Sequence, residues 1–257
     1  MTALRTALLA GALALPVGAA RAQTYAPTGL SVRLAVGVDE HGQTSLTRWQ
    51  RAEQAAIGSA DIALQETAAF PSYPSLRVEV GRLGARWNRR RDIRYEVGLS
   101  AEAGLTGGRL YYADYSGAFA VDRRARRLAL GAYAEHEVAG VAGVWVAARL
   151  NLRASLTSVT YRREVVLGGE PFETAEASFR AVPLSVEPGI VAERDLTRRL
   201  RLRASVGYEV STRSGLGEAP EALPAEARWA SQGGPSVGWG GVRVGVGLSR
   251  RIGGSDR

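Results

Sequence analysis

The residues best suited to acid–base chemistry in this chain are its two histidines. His41 lies in an acidic loop, and His136 lies between Glu135 and Glu137. Successive side chains of an extended strand point to opposite faces, so His136 points away from both flanking glutamates. A lipase acting through serine and histidine would need its catalytic groups on one face. We therefore predict no catalytic residues and no enzymatic activity.

Metal, cofactor and disulfide chemistry also lack the residues they need. The chain has no cysteine, and no spacing of histidines and acidic residues fits a metal site. Glycine pairs at 107–108, 168–169 and 233–234 are typical of turns and not of phosphate-binding loops. No metal, cofactor or disulfide is expected.

Arginine supplies all of the positive charge. The 33 basic residues include no lysine, and 25 residues are acidic. Short arginine clusters occur at Arg89-Arg90-Arg91, Arg123-Arg124-Arg126-Arg127 and Arg198-Arg199. Such clusters are either solvated turns or contacts to lipid phosphates, whose oxygens suit the guanidinium fork. Because the chain is predicted to be exported, anionic lipids are expected as partners and nucleic acid is not.

Residues 1–22 have the pattern of a secretory signal peptide. Arg5 precedes the apolar run Ala7–Leu15, and Ala20-Arg21-Ala22 is a small-x-small cleavage site before Gln23. Nine apolar residues are too few for a membrane-spanning helix, which needs about 20. We expect export and cleavage after residue 22.

The stretch Arg198–Arg213 has strict period-2 alternation. Leu200, Leu202, Ala204, Val206, Tyr208 and Val210 share one face, and polar residues and glycine occupy the other. Such a strand is as long as the roughly 9–11 tilted residues that cross a bilayer. The pattern predicts a strand of a transmembrane β-barrel.

The rest of the chain predicts a meander of similar strands. They are placed at 75–87, 92–104, 108–121, 127–138, 142–164, 172–193, 198–213 and 236–250. Tight connections are expected at Leu105–Gly107 and Asp122–Arg126, and a helix at 45–67 because apolar residues recur there at helical spacing. A further strand at 29–38 would be a ninth, which an antiparallel barrel cannot use alone. It lies outside the wall, or it has a partner strand that the pattern does not reveal, or one of the eight strands is wrong.

The glycines indicate which face of the strands is inside. Gly98, Gly131 and Gly207 fall on the polar face, where the crowded interior of a narrow barrel can use a missing side chain. We therefore place the polar face inside and the apolar face against lipid. The predicted lumen charge network is Arg94, Glu96, Glu102, Glu135, Arg149, Arg153, Arg201, Arg203, Glu209 and Arg243. The predicted interface aromatics are Trp87, Tyr95, Tyr208 and Trp239.

The signal peptide, the alternation and the turn motif Asp195–Leu200 resemble the small outer-membrane β-barrel proteins of the eight-stranded OmpX-like kind. One departure is that no aromatic residue ends the last strand. The resemblance implies location in the outer membrane, outer-membrane lipids and the barrel insertion machinery as partners, and an extracellular or periplasmic ligand of unknown nature.

The fold class expected is all-β, an antiparallel up-and-down transmembrane barrel of eight strands, with ten as the alternative. The segments expected are a signal peptide at 1–22, a strand and helix at 23–74, the barrel at 75–250 and a tail at 251–257. We expect a non-enzymatic structural or interaction role with a lumen filled by side chains. The alternatives are a narrow pore for small solutes, a secreted soluble ligand-binding barrel and a lipid-acting barrel enzyme.

Overall fold

The computed structural model describes residues 29–39, 44–58, 64–88, 91–141, 143–197, 199–229 and 234–252, with only the backbone described at 85–93 and 141. The predicted signal peptide and His41 lie outside these residues. The elements are β1 Gly29–Asp39, α1 Thr44–Gly58, β2 Gln65–Ala69, β3 Tyr73–Asn88, β4 Arg91–Asp114, β5 Gly117–Val141, β6 Val144–Leu167, β7 Glu170–Ala181, β8 Leu184–Asp195, β9 Leu200–Ser211, β10 Ser214–Gly215, β11 Ser236–Val237 and β12 Gly241–Ile252, with a 3-10 helix at Ala225–Ala227.

Eight of these strands close an antiparallel barrel. The order around the wall is β1, β12, β9, β8, β6, β5, β4 and β3, which returns to β1. The predicted fold class, an antiparallel up-and-down barrel with eight wall strands and a helix, is confirmed. Closure removes the free sheet edges that would otherwise expose unpaired backbone groups.

The strand predicted at 29–38 is part of the wall and not a ninth strand beside it. β1 pairs with β3 on one side and with β12 on the other, so it closes the ring between the two ends of the chain. The barrel therefore begins at Gly29, and the range 75–250 predicted for it is wrong. That range supplies only seven wall strands, because the strand predicted at 108–121 is divided between the end of β4 and the start of β5.

The tight connections predicted at Leu105–Gly107 and Asp122–Arg126 are wrong. β4 and β5 run straight through both places, and the chain turns at Tyr115-Ser116. Gly108 lies inside β4, and the position needs glycine because a side chain there would collide with Gln50 and Phe70. The glycines that predicted a turn thus allow close packing of a strand.

Asp114 builds the actual turn between β4 and β5. Its Oδ1 accepts hydrogen bonds from the Ser116 hydroxyl at 2.6 Å and the Ser116 amide at 2.8 Å, and its Oδ2 accepts one from the Tyr112 hydroxyl at 2.8 Å. Together these bonds, the Ser116 hydroxyl first, lower the pKa of this exposed carboxyl to about 2. A short side chain that bonds the backbone two residues ahead is typical of turn residues.

The strand predicted at 172–193 exists with a break. β7 pairs with the Thr157–Leu167 part of β6, and β8 pairs with the Val144–Ala154 part. Pro183 lies in the gap between β7 and β8, where its missing N–H interrupts the ladder. The two pieces follow one another along the same edge of β6, so they occupy a single position in the wall.

The predicted helix is shorter than its pattern suggested. α1 ends at Gly58, and part of the remaining range, Gln65–Ala69, forms β2. β2 pairs with the Gly108–Tyr111 edge of β4, whose backbone groups are otherwise free on that side. Helical spacing of apolar residues beyond Gly58 was overridden by this tertiary pairing.

The two ends of the barrel differ in character. The connections 88–91, 141–144 and 195–200 are short and lie at the end that holds the start of β1 and the end of β12. At the other end β4, β5, β6 and β7 continue beyond the ring as a projecting sheet that curls over α1. Short turns at one end and long extensions at the other are what outer-membrane barrels show.

As predicted, the polar face of the strands lies inside the barrel and the apolar face lies outside. Large apolar side chains are exposed on the outside of the wall strands; Leu99, for example, is 70% exposed. Arginines, glutamates and serines of the opposite phase are buried inside. The barrel thus has apolar side chains outside and charged side chains inside, the reverse of a water-soluble protein, in which charged residues are almost never fully buried unless paired.

Candidate functional site: the charged lumen and its apolar cap

The lumen is filled by two adjoining clusters of ion pairs. We call the one nearer the short connections the lower cluster; it contains Arg33, Glu79, Glu96, Glu135, Arg149, Glu193, Arg201 and Arg203. Glu135 is its centre, because its carboxylate accepts hydrogen bonds from Arg33 at 3.2 Å, Arg149 at 2.6 Å and Arg203 at 3.1 Å. These contacts join strands on opposite sides of the barrel.

The upper cluster lies nearer the projecting sheet and contains Asp39, Arg77, Glu102, Arg127, Arg153, Glu187, Glu209 and Arg243. Glu102 is its centre: Arg153 and Arg243 donate to it at 2.7 and 2.5 Å. Arg77 links the clusters, since its Nη1 lies 3.8 Å from Glu79. Each cluster has as many carboxylates as guanidiniums, so the buried charge is compensated locally.

The ten residues predicted for the lumen are all buried inside the barrel. Nine belong to the two clusters. Arg94 lies at the mouth of the barrel at the end with the short connections, where its guanidinium stacks 3.5 Å from the ring centre of Trp145 and its backbone N–H donates to Glu137 at 3.2 Å. The period-2 phase therefore located interior charges correctly.

Several charged residues of the clusters were not predicted. They are Arg33, Asp39, Arg77, Glu79, Arg127, Glu187 and Glu193. Each lies on the inner phase of its strand, so alternation was the signal that could have found them. Arg127 is missed because the sequence pattern predicts a turn beside it. Arg33 is missed because the sequence leaves open whether the strand at 29–38 belongs to the wall.

The inner-phase glycines make room for these side chains. A Cβ added at Gly98 would lie 2.7 Å from Cε1 of Tyr133, and one at Gly131 would collide with the backbone and side chain of β6 around Arg153. Ordinary contact would need about 3.5–4.0 Å. The reason given for placing the polar face inside therefore holds at both positions.

The predicted interface aromatics fall into three groups. Tyr95 and Tyr208 are exposed on the outer face, as predicted. Trp239 is only 2% exposed; it packs against Tyr73 with ring centres 4.9 Å apart and donates to the Thr157 hydroxyl at 2.7 Å. Its prediction as an interface residue is wrong, because the segment before β12 turns inward over the lumen. The side chain of Trp87 lies outside the described residues.

Above the upper cluster the interior becomes apolar and α1 closes it. Trp49 of α1 stacks on Tyr161 at 5.8 Å between ring centres and donates to the Ala227 carbonyl at 2.8 Å. Glu53 accepts a hydrogen bond from the Tyr161 hydroxyl at 2.7 Å and pairs with Arg123. Burial raises the pKa of Tyr161 to about 12, so its hydroxyl is a donor at neutral pH.

The histidine that could have supported catalysis lies apart from any nucleophile of the interior. His136 is exposed on the outer face, opposite Tyr95 of β4, while Glu135 and Glu137 are buried inside. Within the described ranges, no three histidine or acidic side chains are grouped so as to hold a metal ion. No helix in the described part of the chain is long and apolar enough to span a membrane.

Comparison with known proteins leaves the family of this chain open. No family model matches it, and no curated protein matches it. Among solved structures, the chain is similar to the crystal structure of Neisserial surface protein A (NspA), with 15% sequence identity over 87% of this chain and 97% of that chain, and a TM-score of 0.35. The similarity is low in both sequence and superposition.

Proposed function

We propose that this protein is an integral β-barrel of the outer membrane, with a closed lumen and a non-enzymatic structural or interaction role. The observation that carries the proposal is the continuous apolar belt on the outside of the barrel. Leu34, Val78, Leu130, Leu152 and Val206 lie on it, each 42–61% exposed. Contiguous exposed apolar surface on this scale marks contact with lipid or protein, and an encircling belt suits lipid.

The filled interior supports the closed-lumen part of the proposal. An eight-stranded barrel is only wide enough for its side chains to fill. Here two ion-pair clusters fill the lower part, and Leu46, Trp49, Tyr161, Phe179 and Trp239 fill the upper part. We propose that the projecting sheet and cap, which no membrane would cover, form the working surface toward an extracellular ligand.

The other candidate functions have weaker support. A secreted ligand-binding barrel would need an apolar lumen and a polar exterior, the reverse of this arrangement. A lipid-acting enzyme would need a nucleophile beside His136. A narrow pore for small solutes is the second candidate, and it would need the ion pairs of both clusters to separate.

The same proposal includes three further points. They are export through the cleaved signal peptide 1–22, insertion by the barrel insertion machinery and membership of the OmpX-like group. The alternation and the short and long connections at opposite ends support them.

Fractionation combined with heat modifiability on SDS gels tests the proposal. We expect the protein in the outer-membrane fraction, resistant to extraction by alkaline carbonate. The unheated sample should migrate differently from the boiled sample, because a closed barrel resists SDS. Recovery of folded protein in the soluble periplasmic fraction would overturn the membrane assignment.

A further inference from the structure

The outer face of the projecting sheet changes abruptly from apolar to basic where it leaves the ring. Leu128, Leu156 and Val182 form the last apolar row on neighbouring strands and are 50–58% exposed. In the next row, Arg126 of β5 pairs with Ser158 of β6, and Ser158 pairs with Arg180 of β7. On β5, β6 and β7 the step from lipid-compatible to cationic surface takes a single row, while on β4 the exposed Leu105 lies opposite Arg126.

The following row continues the basic surface. Arg124 lies opposite Thr160, and Thr160 lies opposite Ser178. All these side chains share the outer phase, because their strand neighbours Arg123, Ala125 and Phe179 are buried. We call this surface the outer arginine patch; it consists of Arg124, Arg126, Ser158, Thr160, Ser178 and Arg180.

The charge of this patch is uncompensated. Among the residues that the structure describes, no carboxylate lies within ion-pair distance of Arg124, Arg126 or Arg180. One row further out the charges are paired instead: Arg109 lies 3.5 Å from Asp122, and Arg162 of the same row lies 3.4 Å from Glu164 of the row beyond. The patch is thus a band of bare positive charge between the apolar belt and a charge-balanced edge.

Neighbouring strands lie about 4.8 Å apart and same-face rows about 6.8 Å apart, so the three guanidiniums can converge on one or two anions. Arginine binds phosphate oxygens in a two-pronged fork, and the hydroxyls between the arginines add further donors. An acyl chain attached to such an anion would lie on the apolar row directly below. This continuity between donors and apolar surface favours a lipid over a free anion.

We propose that the outer arginine patch binds the headgroup phosphates of a phosphorylated lipid in the outer leaflet, and that a lipid with two phosphates suits its three guanidiniums best. The inference rests on the proposed membrane location and adds to it a lipid class and a site. The end with long extensions faces outward in such barrels, which places the patch at the headgroup level of the outer leaflet.

The test measures binding of diphosphorylated lipid A to the folded full chain in zwitterionic micelles by isothermal titration. Wild type should bind, and the triple variant R124Q/R126Q/R180Q should bind about a hundredfold more weakly, since each arginine near an anionic lipid surface contributes about fivefold. Lipid A with one phosphate should bind wild type with intermediate affinity.

The matched control is R82Q/R194Q/R250Q, which removes the same charge from the outer phase at the opposite end of the belt. It should bind like wild type. Equal binding by wild type and the patch variant, or equal losses in both variants, would overturn the site. Saturation of wild type by inorganic phosphate at the same concentration would overturn the lipid assignment.

Heat modifiability of each variant shows separately whether the barrel has folded. A chain that is soluble without detergent and shows no heat-modified band contradicts the proposed function. A folded barrel that binds the lipid equally well with and without the patch arginines contradicts only this inference.

Discussion

Glu135 is the residue on which most of the lower cluster depends, because three buried arginines share its carboxylate. Glu135→Gln keeps the shape of the side chain but leaves those guanidiniums short of one negative charge. Removing one partner from a buried ion-pair network costs about 3–5 kcal/mol. We expect a loss of that size in the free energy of unfolding, measured by urea titration in lipid vesicles.

Glu164→Gln is the matched control for this change. Glu164 pairs with Arg162 on the projecting sheet, where both side chains are substantially exposed. An exposed pair contributes at most about 1 kcal/mol. If the two variants lost equal amounts of stability, the ion pairs of the lower cluster would be solvated and not buried.

Val206 tests the outer face at the level of one residue. It lies in the middle of β9 among outward apolar side chains. Val206→Arg should cost about 2–4 kcal/mol near the bilayer midplane, measured by folding titrations into vesicles. Val206→Leu should be nearly neutral. A cost for the arginine as small as that of a solvated surface change would mean that this face meets water.

Among the elements, α1 is the one whose removal should leave the wall intact. Trp49 anchors it to Tyr161, Phe179, Trp229 and the Ala227 carbonyl. Trp49→Ala should weaken the cap by about 3–5 kcal/mol, the usual cost of truncating a buried tryptophan. Hydrogen exchange should accelerate in α1 and the 3-10 helix, while β1, β9 and β12 stay protected.

The exposed neighbour Arg48 supplies the control, and Arg48→Ala should leave exchange in α1 unchanged. If Trp49→Ala accelerated exchange in the cap and in the wall strands equally, the cap and barrel would form one cooperative unit.

At the scale of the whole molecule, the filled interior predicts an electrically silent barrel. Purified wild-type protein in planar bilayers should show no steady open-channel conductance, because ion pairs join opposite walls at the lower and upper clusters. Glu96→Gln with Glu102→Gln removes one acceptor from each cluster and should produce intermittent openings. Steady conductance in wild type that the double variant leaves unchanged would favour the pore.

Local patterns were sufficient for the faces of the strands, although not for where each strand ends. Period-2 alternation is a property of one segment, so Leu200 to Val210 could be assigned to the outside, and Arg201, Arg203 and Glu209 to the inside, without knowing any partner. The same logic predicted the whole phase of β4 and β5 near Glu96 and Glu135. It would also have placed Glu79 of β3 inside, and Arg33 as well if β1 had been counted in the wall.

The closure of the barrel, its turns and the pairing of its charges depended on contacts that no segment contains. Arg33 and Glu135 are separated by 102 positions, and only the register of the closed ring brings them together. Gly107 and Gly108 have the same local preference in a turn and in a strand that is crowded, at Gly107 by the Arg123 backbone and at Gly108 by Gln50 and Phe70. Trp239 is predicted at the interface from its position near a strand end, but it shares the inner phase of Arg243 and is buried, because the chain before β12 folds over the lumen. Period and propensity are local, whereas closure, register and capping arise from the free energy of distant surfaces brought together.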